Sequence, residues 1–261
     1  MSNSLKAVAL ERRLEKCRNV ITLGVRTNFD DYDDEAAELI RTSAKIYYPT
    51  VFYADLFDAA GKQTFPSYHT YKCVQDKIKQ TALFQLLKIP HPRTRVFYGK
   101  HQKKAITRHF KFPFIAKIPR GSAMGRGVWL IKNEVQLQSY CQEPFPAYIQ
   151  EYLPADRDIR VVVIGQQCVH AYQRIAPAGD FRSNVAVGGT IDLSPPPDEA
   201  VELAVRAAQA CQWDDVGIDI IRYDKACYVL EANMKYGKEG FRAAGIDYIQ
   251  LMEKLIDDGK I

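Results

Sequence analysis

The segment GIDIIRYDKACYVLEAN, residues 217–233, constrains the fold more strongly than any other part of the sequence. Its two apolar runs are typical of strands, and the turn at residues 224–226 between them predicts a β-hairpin. With a three-residue turn, Asp219 lies directly opposite Glu231, and Asn233 falls on the same face because side chains alternate along a strand. The side chains expected to face a hydrophobic core on the other side are Ile218, Ile220, Tyr228 and Leu230.

Three oxygen-bearing side chains on one face of the hairpin form a candidate metal site. Two carboxylates and an amide oxygen suit Mg²⁺, a hard cation that proteins bind through oxygen and share with substrate phosphates. Neighbouring carboxylates also repel each other unless a cation neutralises them. The alternative is a solvent-facing hairpin with ordinary polar residues. A two-residue turn would favour that alternative, because it shifts the register by one residue and sets Asp219 opposite Leu230.

Residues 114–128 predict a strand, a glycine-rich loop and a second strand. Gly121, Gly125 and Gly127 let backbone N–H groups approach an anion closely, and such concave loops bind phosphate. Lys117 alternates with apolar neighbours, so it faces away from the core and offers a point charge. The loop leads into a strand rather than a helix, which excludes the Walker and dinucleotide-binding patterns. A flexible hairpin loop would have a similar sequence.

A second lysine, Lys77, opens a predicted helix at residues 76–87 that stops before two prolines. A cation near a helix N-terminus opposes the helix dipole. Lys77 therefore either binds an anion such as phosphate or points into solvent, and the sequence leaves both interpretations open.

Composition excludes several classes of protein. No apolar run approaches the ~20 residues that span a bilayer, and residues 1–17 lack the apolar core and cleavage site of a secretory signal. A cytoplasmic protein with no membrane partner is therefore expected. Six cysteines without a CxxC pair predict reduced thiols rather than a zinc site or disulfides.

The net charge of +5 is mild. It fits either a surface that attracts nucleic acid or a cleft that holds a triphosphate and an acidic substrate. Basic residues between positions 6 and 18 predict an amphipathic helix with Val8, Leu10 and Leu14 on its apolar side. Because its charge excess is small, a solvated helix face is expected there, and nucleic acid is not expected as a partner. An acidic cluster at 30–35 is interpreted as a helix start rather than a metal site.

The remaining periodicities predict an α+β chain without repeats or long linkers. Strands are expected at 20–25, 45–52, 94–98, 112–118, 127–132, 147–151, 158–164, 168–175, 216–223 and 226–233. Helices are expected at 30–40, 76–87, 133–141, 194–210 and 246–257. We predict a small strand–helix–strand lobe within residues 1–75, a lobe with the glycine-rich loop at 76–148, and a C-terminal lobe with the metal site at 149–261.

Taken in order, short motifs of this chain resemble the ATP-grasp superfamily, in particular the RimK-type ribosomal-protein glutamate ligases. The resemblance covers about residues 70–245. The matching pieces are Asp76-Lys77, the segment 113–128, Gln150-Glu151-Tyr152, Asp158-Ile159-Arg160, Arg174, residues 179–184, Gly188-Gly189, Gly217-Ile218-Asp219 and Glu231-Ala232-Asn233. The resemblance implies the ATP-grasp fold, in which two α+β lobes clasp ATP, here preceded by the small N-terminal lobe.

The same resemblance implies roles for individual residues. ATP would lie with Mg²⁺, or alternatively Mn²⁺, beneath a lid formed by residues 119–127. The residues implied in nucleotide binding are Lys77, Lys117, Gly121, Ser122, Gly125, Gly127, Gln150, Glu151, Tyr152, Leu153 and Asp158. The metal ligands would be Asp219, Glu231 and Asn233. The residues implied at the reaction centre are Arg160, Arg174, Arg182 and Asn184. Viewed alone, each arginine could equally lie on the surface, and residues 150–153 could be an ordinary strand end.

The activity implied is ATP-dependent ligation of a carboxylate to an amine, or to a thiol, through an acylphosphate intermediate. An amino acid such as glutamate would be joined to a peptide or small molecule, and a homo-oligomer is compatible with this activity. The alternatives are a phosphotransferase on the same scaffold and a non-catalytic nucleotide-binding protein. After Asn233 the chain reads Met234-Lys235-Tyr236-Gly237, where the glutamate ligases have small residues and proline. The resemblance therefore does not identify the acceptor.

Overall fold

The computed structural model describes residues 6–121 and 127–261, and within these ranges the strands form three sheets. The strands are β1 (Ala7–Ala9), β2 (Val20–Thr22), β3 (Lys45–Tyr47), β4 (Gln63–Phe65), β5 (Thr94–Phe97), β6 (Phe114–Lys117), β7 (Val128–Ile131), β8 (Ala147–Glu151), β9 (Arg157–Ile164), β10 (Gln167–Ile175), β11 (Thr190–Asp192), β12 (Asp215–Tyr223) and β13 (Ala226–Asn233). The helices are α1 (Asp34–Thr42), α2 (Thr50–Ala59), α3 (Tyr68–Val74), α4 (Lys77–Leu86), α5 (Gly99–Lys103), α6 (Ile106–His109), α7 (Glu134–Cys141), α8 (Asp198–Ala210), α9 (Glu239–Ala243) and α10 (Tyr248–Asp257). The α+β class predicted from the sequence is confirmed.

Parallel pairing in the order β2-β1-β3-β4 forms the first sheet. The sequence predicts only one strand–helix–strand unit in this region, so β1 and β4 were missed. The predicted strand at 45–52 ends at Tyr47, and α2 begins at Thr50. Strands of three residues are too short to show a clear alternation, which explains the misassignment.

The predicted basic helix at residues 6–18 is wrong. The segment contains β1 and a short 3-10 turn at Arg12–Leu14. Val8, Leu10 and Leu14 are buried, but they lie in a strand and the loop that follows it. Pairing with β2 and β3 outweighs the helical propensity of the segment, as tertiary context often does.

The second sheet has the antiparallel order β5-β8-β6-β7 and presents two different faces. On one face Phe114 of β6 packs with Ile106 of α6 and Leu137 of α7, so these helices cover it. On the other face Ile115 and Lys117, the alternate residues of β6, line a cavity. The predicted domain boundary after residue 148 falls inside β8, whose partner strands all belong to this sheet.

The third sheet has the order β11-β10-β9-β12-β13 and is antiparallel throughout. Its core includes α8, which contributes Leu203 and Ala207 against Val161 and Ile218. Trp213 is fully buried beside Phe84 of α4, with ring centroids 5.8 Å apart. This contact joins the helix that precedes the second sheet to the core of the third.

The hairpin of β12 and β13 turns through two residues, not the three predicted. Asp224 and Lys225 have φ values of 47° and 64°, and Tyr223 pairs with Ala226. Positive φ at both central positions is typical of the turn that matches the twist of antiparallel strands. By itself this turn would set Asp219 opposite Leu230.

A β-bulge at Leu230 restores the predicted pairing of the two carboxylates. Ile220 pairs with Val229 and Asp219 pairs with Glu231, so Leu230 is the extra residue on β13. The bulge changes which side chains face the core. Ile218 and Ile220 are fully buried as predicted, together with Val229 and Ala232, whereas Tyr228 and Leu230 are only partly buried. Leu230 faces the cavity instead.

The six cysteines are free thiols, of which Cys17 and Cys211 are buried. None of the helices within the described ranges combines the length and the apolar character that a membrane crossing requires.

Arg13 joins the first sheet to the C-terminal part of the chain. Its guanidinium donates to the Met234 carbonyl at 3.0 Å and to the Tyr248 hydroxyl at 3.1 Å, and lies 3.6 Å from Asp215. Asp215 is fully buried and also accepts from the Tyr236 hydroxyl at 2.7 Å. A buried carboxylate requires such partners, so this cluster sets the position of the N-terminal segment.

We expect Arg13→Met to lower the free energy of unfolding by about 3–5 kcal/mol, because it leaves the buried carboxylate of Asp215 without its cation. Urea denaturation at neutral pH measures the change. Arg12→Met removes an exposed neighbour and should change the stability by no more than about 0.5 kcal/mol. Equal losses in the two variants would contradict this role for Arg13.

Candidate active site

A cavity opens between the second and third sheets. The predicted site residues that line it are Lys77, Lys117, Gln150, Glu151, Tyr152, Leu153, Asp158, Arg182, Asn184, Asp219 and Glu231. Residues far apart in the sequence are thus brought together around one space.

The other predicted residues lie beside or behind this cavity. Arg160 and Arg174 are buried beneath Asp219, and Asn233 contacts Glu231. Gly127 lines a neighbouring groove, while Gly121 ends the first described range. Ser122 and Gly125 lie outside the described residues. The lining residues that were not predicted are Pro92, Ile115, Val128, Ala155, Arg157, Phe181, Ser183, Ile221 and Leu230. Of these, only Ile115 could have been predicted from the sequence, because it lies two residues before Lys117 and therefore on the same face of β6.

Lys77 is held at the start of α4 by the residues around it. Asp76 caps the helix and accepts from the backbone N–H groups of Ile78 and Lys79 at 2.9 and 3.2 Å. The Lys77 N–H donates to the Pro119 carbonyl at 3.0 Å. Its ammonium reaches across the cavity to within 3.7 Å of Glu231. The solvent-facing alternative for Lys77 is wrong, since the residue is buried.

Two lysines control the charge state of Glu231. Burial favours the neutral acid, but the charges of Lys77 and Lys117 and the hydrogen bond from Asn233 at 2.9 Å outweigh it. Together they lower the pKa of Glu231 from 4.5 to about 2. Burial lowers the pKa of Lys117, and the charge of Glu231 opposes that change. The Glu231 carboxylate is therefore ionised at neutral pH.

Asp219 is the centre of a buried arginine network. Arg160, its partner on β9, donates to both carboxylate oxygens. Arg174 lies 3.0 Å from the same carboxylate and also forms a bidentate pair with Asp158. Charged hydrogen bonds of this kind are strong and fix geometry. The network sets the orientation of Asp219 at the edge of the cavity.

Close packing behind this network requires a glycine. A Cβ atom at Gly217 would lie 2.3 Å from the Cβ of Tyr236 and 3.0 Å from the Cδ of Arg160. Arg160 also donates to the Tyr236 carbonyl at 2.8 Å. Any larger residue at position 217 would displace the arginine that holds Asp219.

Arg182 and Asn184 line the same cavity. Arg182 pairs with Asp180 at 2.7 Å, and the neighbouring Phe181 meets the ring of Tyr152 edge-on, with centroids 6.4 Å apart. Gln150 is buried, and its side chain donates to Thr94 at 3.0 Å. The predicted adenine-binding strand end and the loop that contains Arg182 therefore form one wall.

The donor set for a metal consists of two carboxylates and one amide. Within residues 6–121 and 127–261, no three histidine, cysteine or acidic side chains come together as a metal site. Asp219, Glu231 and Asn233 supply hard oxygen donors, which suit Mg²⁺ and Mn²⁺ better than zinc. The chemistry of the site therefore fits the metal that the sequence predicts.

Comparison with known proteins places the chain in a family. Residues 74–257 match the family model of the RimK-like ATP-grasp domain. Because this match covers more than half of the chain, the protein belongs to the RimK-like ATP-grasp family.

Relatives and solved structures agree with that placement. The chain is 31% identical over 198 residues to a probable alpha-L-glutamate ligase of Haemophilus influenzae, a match that covers 73% of this chain and 65% of the relative. It thus spans just under two thirds of that relative. The crystal structure of a RimK domain ATP-grasp protein from Sphaerobacter thermophilus is 14% identical with a TM-score of 0.70, covering 95% of this chain and 98% of that one.

A second similar crystal structure contains bound ligands. The ATP-grasp ligase PsnB, solved with Mg, ADP and a phosphomimetic variant of its minimal precursor, has a TM-score of 0.62 at 20% identity. The match covers 84% of this chain and 79% of that one. At such identities the likeness shows the fold, and the predicted ATP-grasp fold is confirmed.

We expect Glu231→Gln to change how stability depends on pH. Because the pKa of Glu231 is lowered on folding, its ionised form stabilises the protein above pH 4.5, and this contribution is lost as the pH falls towards about 2. The difference in free energy of unfolding between wild type and variant should therefore shrink by about 3 kcal/mol between pH 5 and pH 2. Urea denaturation at several pH values measures it.

Glu202→Gln is the matched control, since Glu202 is exposed on α8. Its stability difference from wild type should stay nearly constant over the same pH range. A constant difference for Glu231→Gln as well would show that the two lysines do not lower the pKa of Glu231.

Proposed function

We propose that this protein is an ATP- and Mg²⁺-dependent ligase that joins a carboxylate to an amine through an acylphosphate. The observation that carries the proposal is the set of buried charges around the cavity, in which Lys77 and Lys117 face the carboxylate of Glu231. Membership in the RimK-like ATP-grasp family supports it. The names of the relatives, glutamate ligases among them, point to an amino acid as one substrate.

In this proposal the charge of the site selects a polyanion. Six cations and four carboxylates lie in or directly behind the cavity, which leaves two positive charges in excess for a triphosphate. These groups are Lys77, Lys117, Arg157, Arg160, Arg174, Arg182, Glu151, Asp158, Asp219 and Glu231. Lys77 and Lys117 would contact phosphate oxygens, and residues 150–153 would receive the adenine through their backbone. Asp219, Glu231 and Asn233 would hold Mg²⁺, or Mn²⁺, which when bound neutralises phosphate charge.

The remaining residues would position the reactants. In the first step a substrate carboxylate oxygen attacks the γ-phosphorus of ATP, and ADP leaves. In the second step the amine attacks the acyl carbon, inorganic phosphate leaves with the C–O bonding electrons, and the amine nitrogen loses a proton to solvent. Arg182 and Asn184 lie where they could orient the carboxylate and the acylphosphate, for which a guanidinium offers paired donors. Catalysis of this kind depends on positioning and charge neutralisation.

We also propose that the chain is organised as three lobes, at 1–75, 76–148 and 149–261, with the second and third clasping the nucleotide. The position of β8 favours extending the second lobe to Glu151. The cavity between the second and third sheets supports this arrangement.

Lys117→Met should raise the dissociation constant for ATP by about tenfold or more, because it removes a charged hydrogen bond worth about 1.5–3 kcal/mol. Isothermal titration calorimetry with MgATP measures the constant. Lys254→Met, which removes an exposed lysine from α10, should leave it unchanged. An unaltered constant for Lys117→Met would remove this lysine from the nucleotide site.

A panel of carboxylates and amines scored for ADP release tests the activity itself. We expect repeated turnover of ATP to ADP only when both substrates and Mg²⁺ are present, an amide product by mass spectrometry, and a hydroxamate when hydroxylamine replaces the amine. Asn233→Ala should lower the rate by about 100-fold or more, whereas Asn28→Ala, on the surface, should not. A stable phosphorylated product that accumulates over many turnovers without any amine would indicate a phosphotransferase. Tight ATP binding without ADP release across the panel would indicate a non-catalytic protein.

A further inference from the structure

The charges of this chain are segregated along the sequence. Residues 77–133 contain fourteen of the 36 lysines and arginines and none of the 31 acidic residues. The rest of the chain therefore has 22 basic against 31 acidic residues, a net charge of −9. The mild overall charge of +5 therefore averages a strongly basic segment with an acidic remainder.

The candidate active site and local structure account for only part of this basic charge. Lys77 and Lys117 line the cavity, and Arg120 pairs with Asp76. Arg126 lies outside the described residues, and Lys103 donates to carbonyls at the end of α7. The nine that remain are all exposed, and none forms an ion pair with the carboxylates of the described ranges. They are Lys79, Lys88, Arg93, Arg95, Lys100, Lys104, Arg108, Lys111 and Lys132.

Six of the nine lie close together in the chain, in or beside β5, α5 and α6. We call them the basic face: Arg93, Arg95, Lys100, Lys104, Arg108 and Lys111. Their elements contribute Phe97, Ile106 and Phe110 to the core behind the second sheet. The side chain of Thr94, between Arg93 and Arg95 in the chain, points to the opposite face and accepts a hydrogen bond from Gln150 on the cavity side. The basic face therefore lies on the opposite side of this sheet from the cavity, and ATP does not explain its charge.

Two arginines of the basic face are held in place around His109. Arg93 donates to the His109 carbonyl at 2.8 Å, and Nη1 of Arg95 lies 3.4 Å from Nδ1 of the same residue. The guanidinium of Arg93 lies 4.5 Å from the centroid of the Phe110 ring, and that of Arg95 lies 5.4 Å from the centroid of Phe97. Guanidinium groups ordered in this way present their remaining N–H groups to solvent, as phosphate recognition requires.

We propose that the basic face binds single-stranded nucleic acid. The cations would contact the phosphates, and exposed rings interleaved with them, those of Tyr98, His101 and His109, would stack on bases. Tyr98 is 51% exposed although it adjoins the buried Phe97. Exposed rings favour a nucleic acid over an acidic polypeptide, because acidic side chains have no aromatic face to stack on them. This binding is independent of the proposed ligase activity and uses another side of the molecule.

The test is fluorescence anisotropy with a labelled single-stranded RNA of mixed sequence, about 20 nucleotides long, at several salt concentrations. For the full chain we expect an association constant for the RNA whose logarithm falls linearly with the logarithm of the salt concentration. Combining Arg93→Gln, Arg95→Gln and Arg108→Gln should reduce the slope by about 2, since each phosphate contact of a single strand contributes about 0.7. Tyr98→Ala should weaken binding by about fivefold or more without changing the slope.

The matched control removes the same charge elsewhere, by combining Arg206→Gln, Lys225→Gln and Lys254→Gln at exposed positions. This control variant should bind RNA with the wild-type salt dependence. The basic-face variant should bind ATP with the affinity of the wild type. RNA binding that survives the basic-face substitutions would overturn the proposal, and so would displacement of the RNA by MgATP. Poly-L-glutamate that binds the same face as tightly as RNA would assign the face to acidic polypeptides instead.

Discussion

Ten charged side chains lie in or beside the cavity between the second and third sheets, and the neutralisation of the buried ones limits how those sheets can be arranged. A charge buried without a partner costs several kcal/mol. Lys77 therefore has to meet Glu231 across the cavity, and Arg160 and Arg174 have to meet Asp219 within the third sheet. The start of α4, the end of β6 and the hairpin of β12 and β13 consequently converge on one place.

The bulge at Leu230 is the local device that makes this convergence possible. The turn at Asp224 and Lys225 suits the twist of the hairpin, but its register alone would place Asp219 opposite Leu230 instead of Glu231. One extra residue on β13 corrects the register before the strand reaches Glu231. The turn and the site thus impose different registers on the same hairpin, and the bulge satisfies both.

The second sheet separates the cations that face the cavity from those exposed to solvent on its other side, because side chains alternate between the two faces of a strand. Ile115 and Lys117 face the cavity, whereas Phe114 and Ala116 face the helices on the other side. On that side, the outer residues of α5 and α6 are basic and include no carboxylate. One lobe therefore presents buried lysines to the cavity and exposed cations to solvent, and the two groups are separated by a hydrophobic core.

Much of the candidate site could be predicted from the sequence because its signals are local. The alternation in residues 217–233, the strand before the glycine-rich loop and the helix start at Asp76 each depend on neighbours within a few positions. The order of these motifs along the chain was sufficient to indicate the family. Local patterns also located most longer strands and helices to within a few residues.

Other features depend on contacts between distant residues. The segment at 6–18 begins with a strand because β2 and β3 pair with it, and Arg13 lies half-buried beside Asp215. Arg160 and Arg174 lie beneath Asp219, behind the wall of the cavity. The sequence by itself indicated which side chains belong to the candidate site, through periodicity, spacing and the resemblance of its motifs to a family. Only the tertiary structure decided their register, depth and partners, because pairing and burial are set by residues far away in the chain.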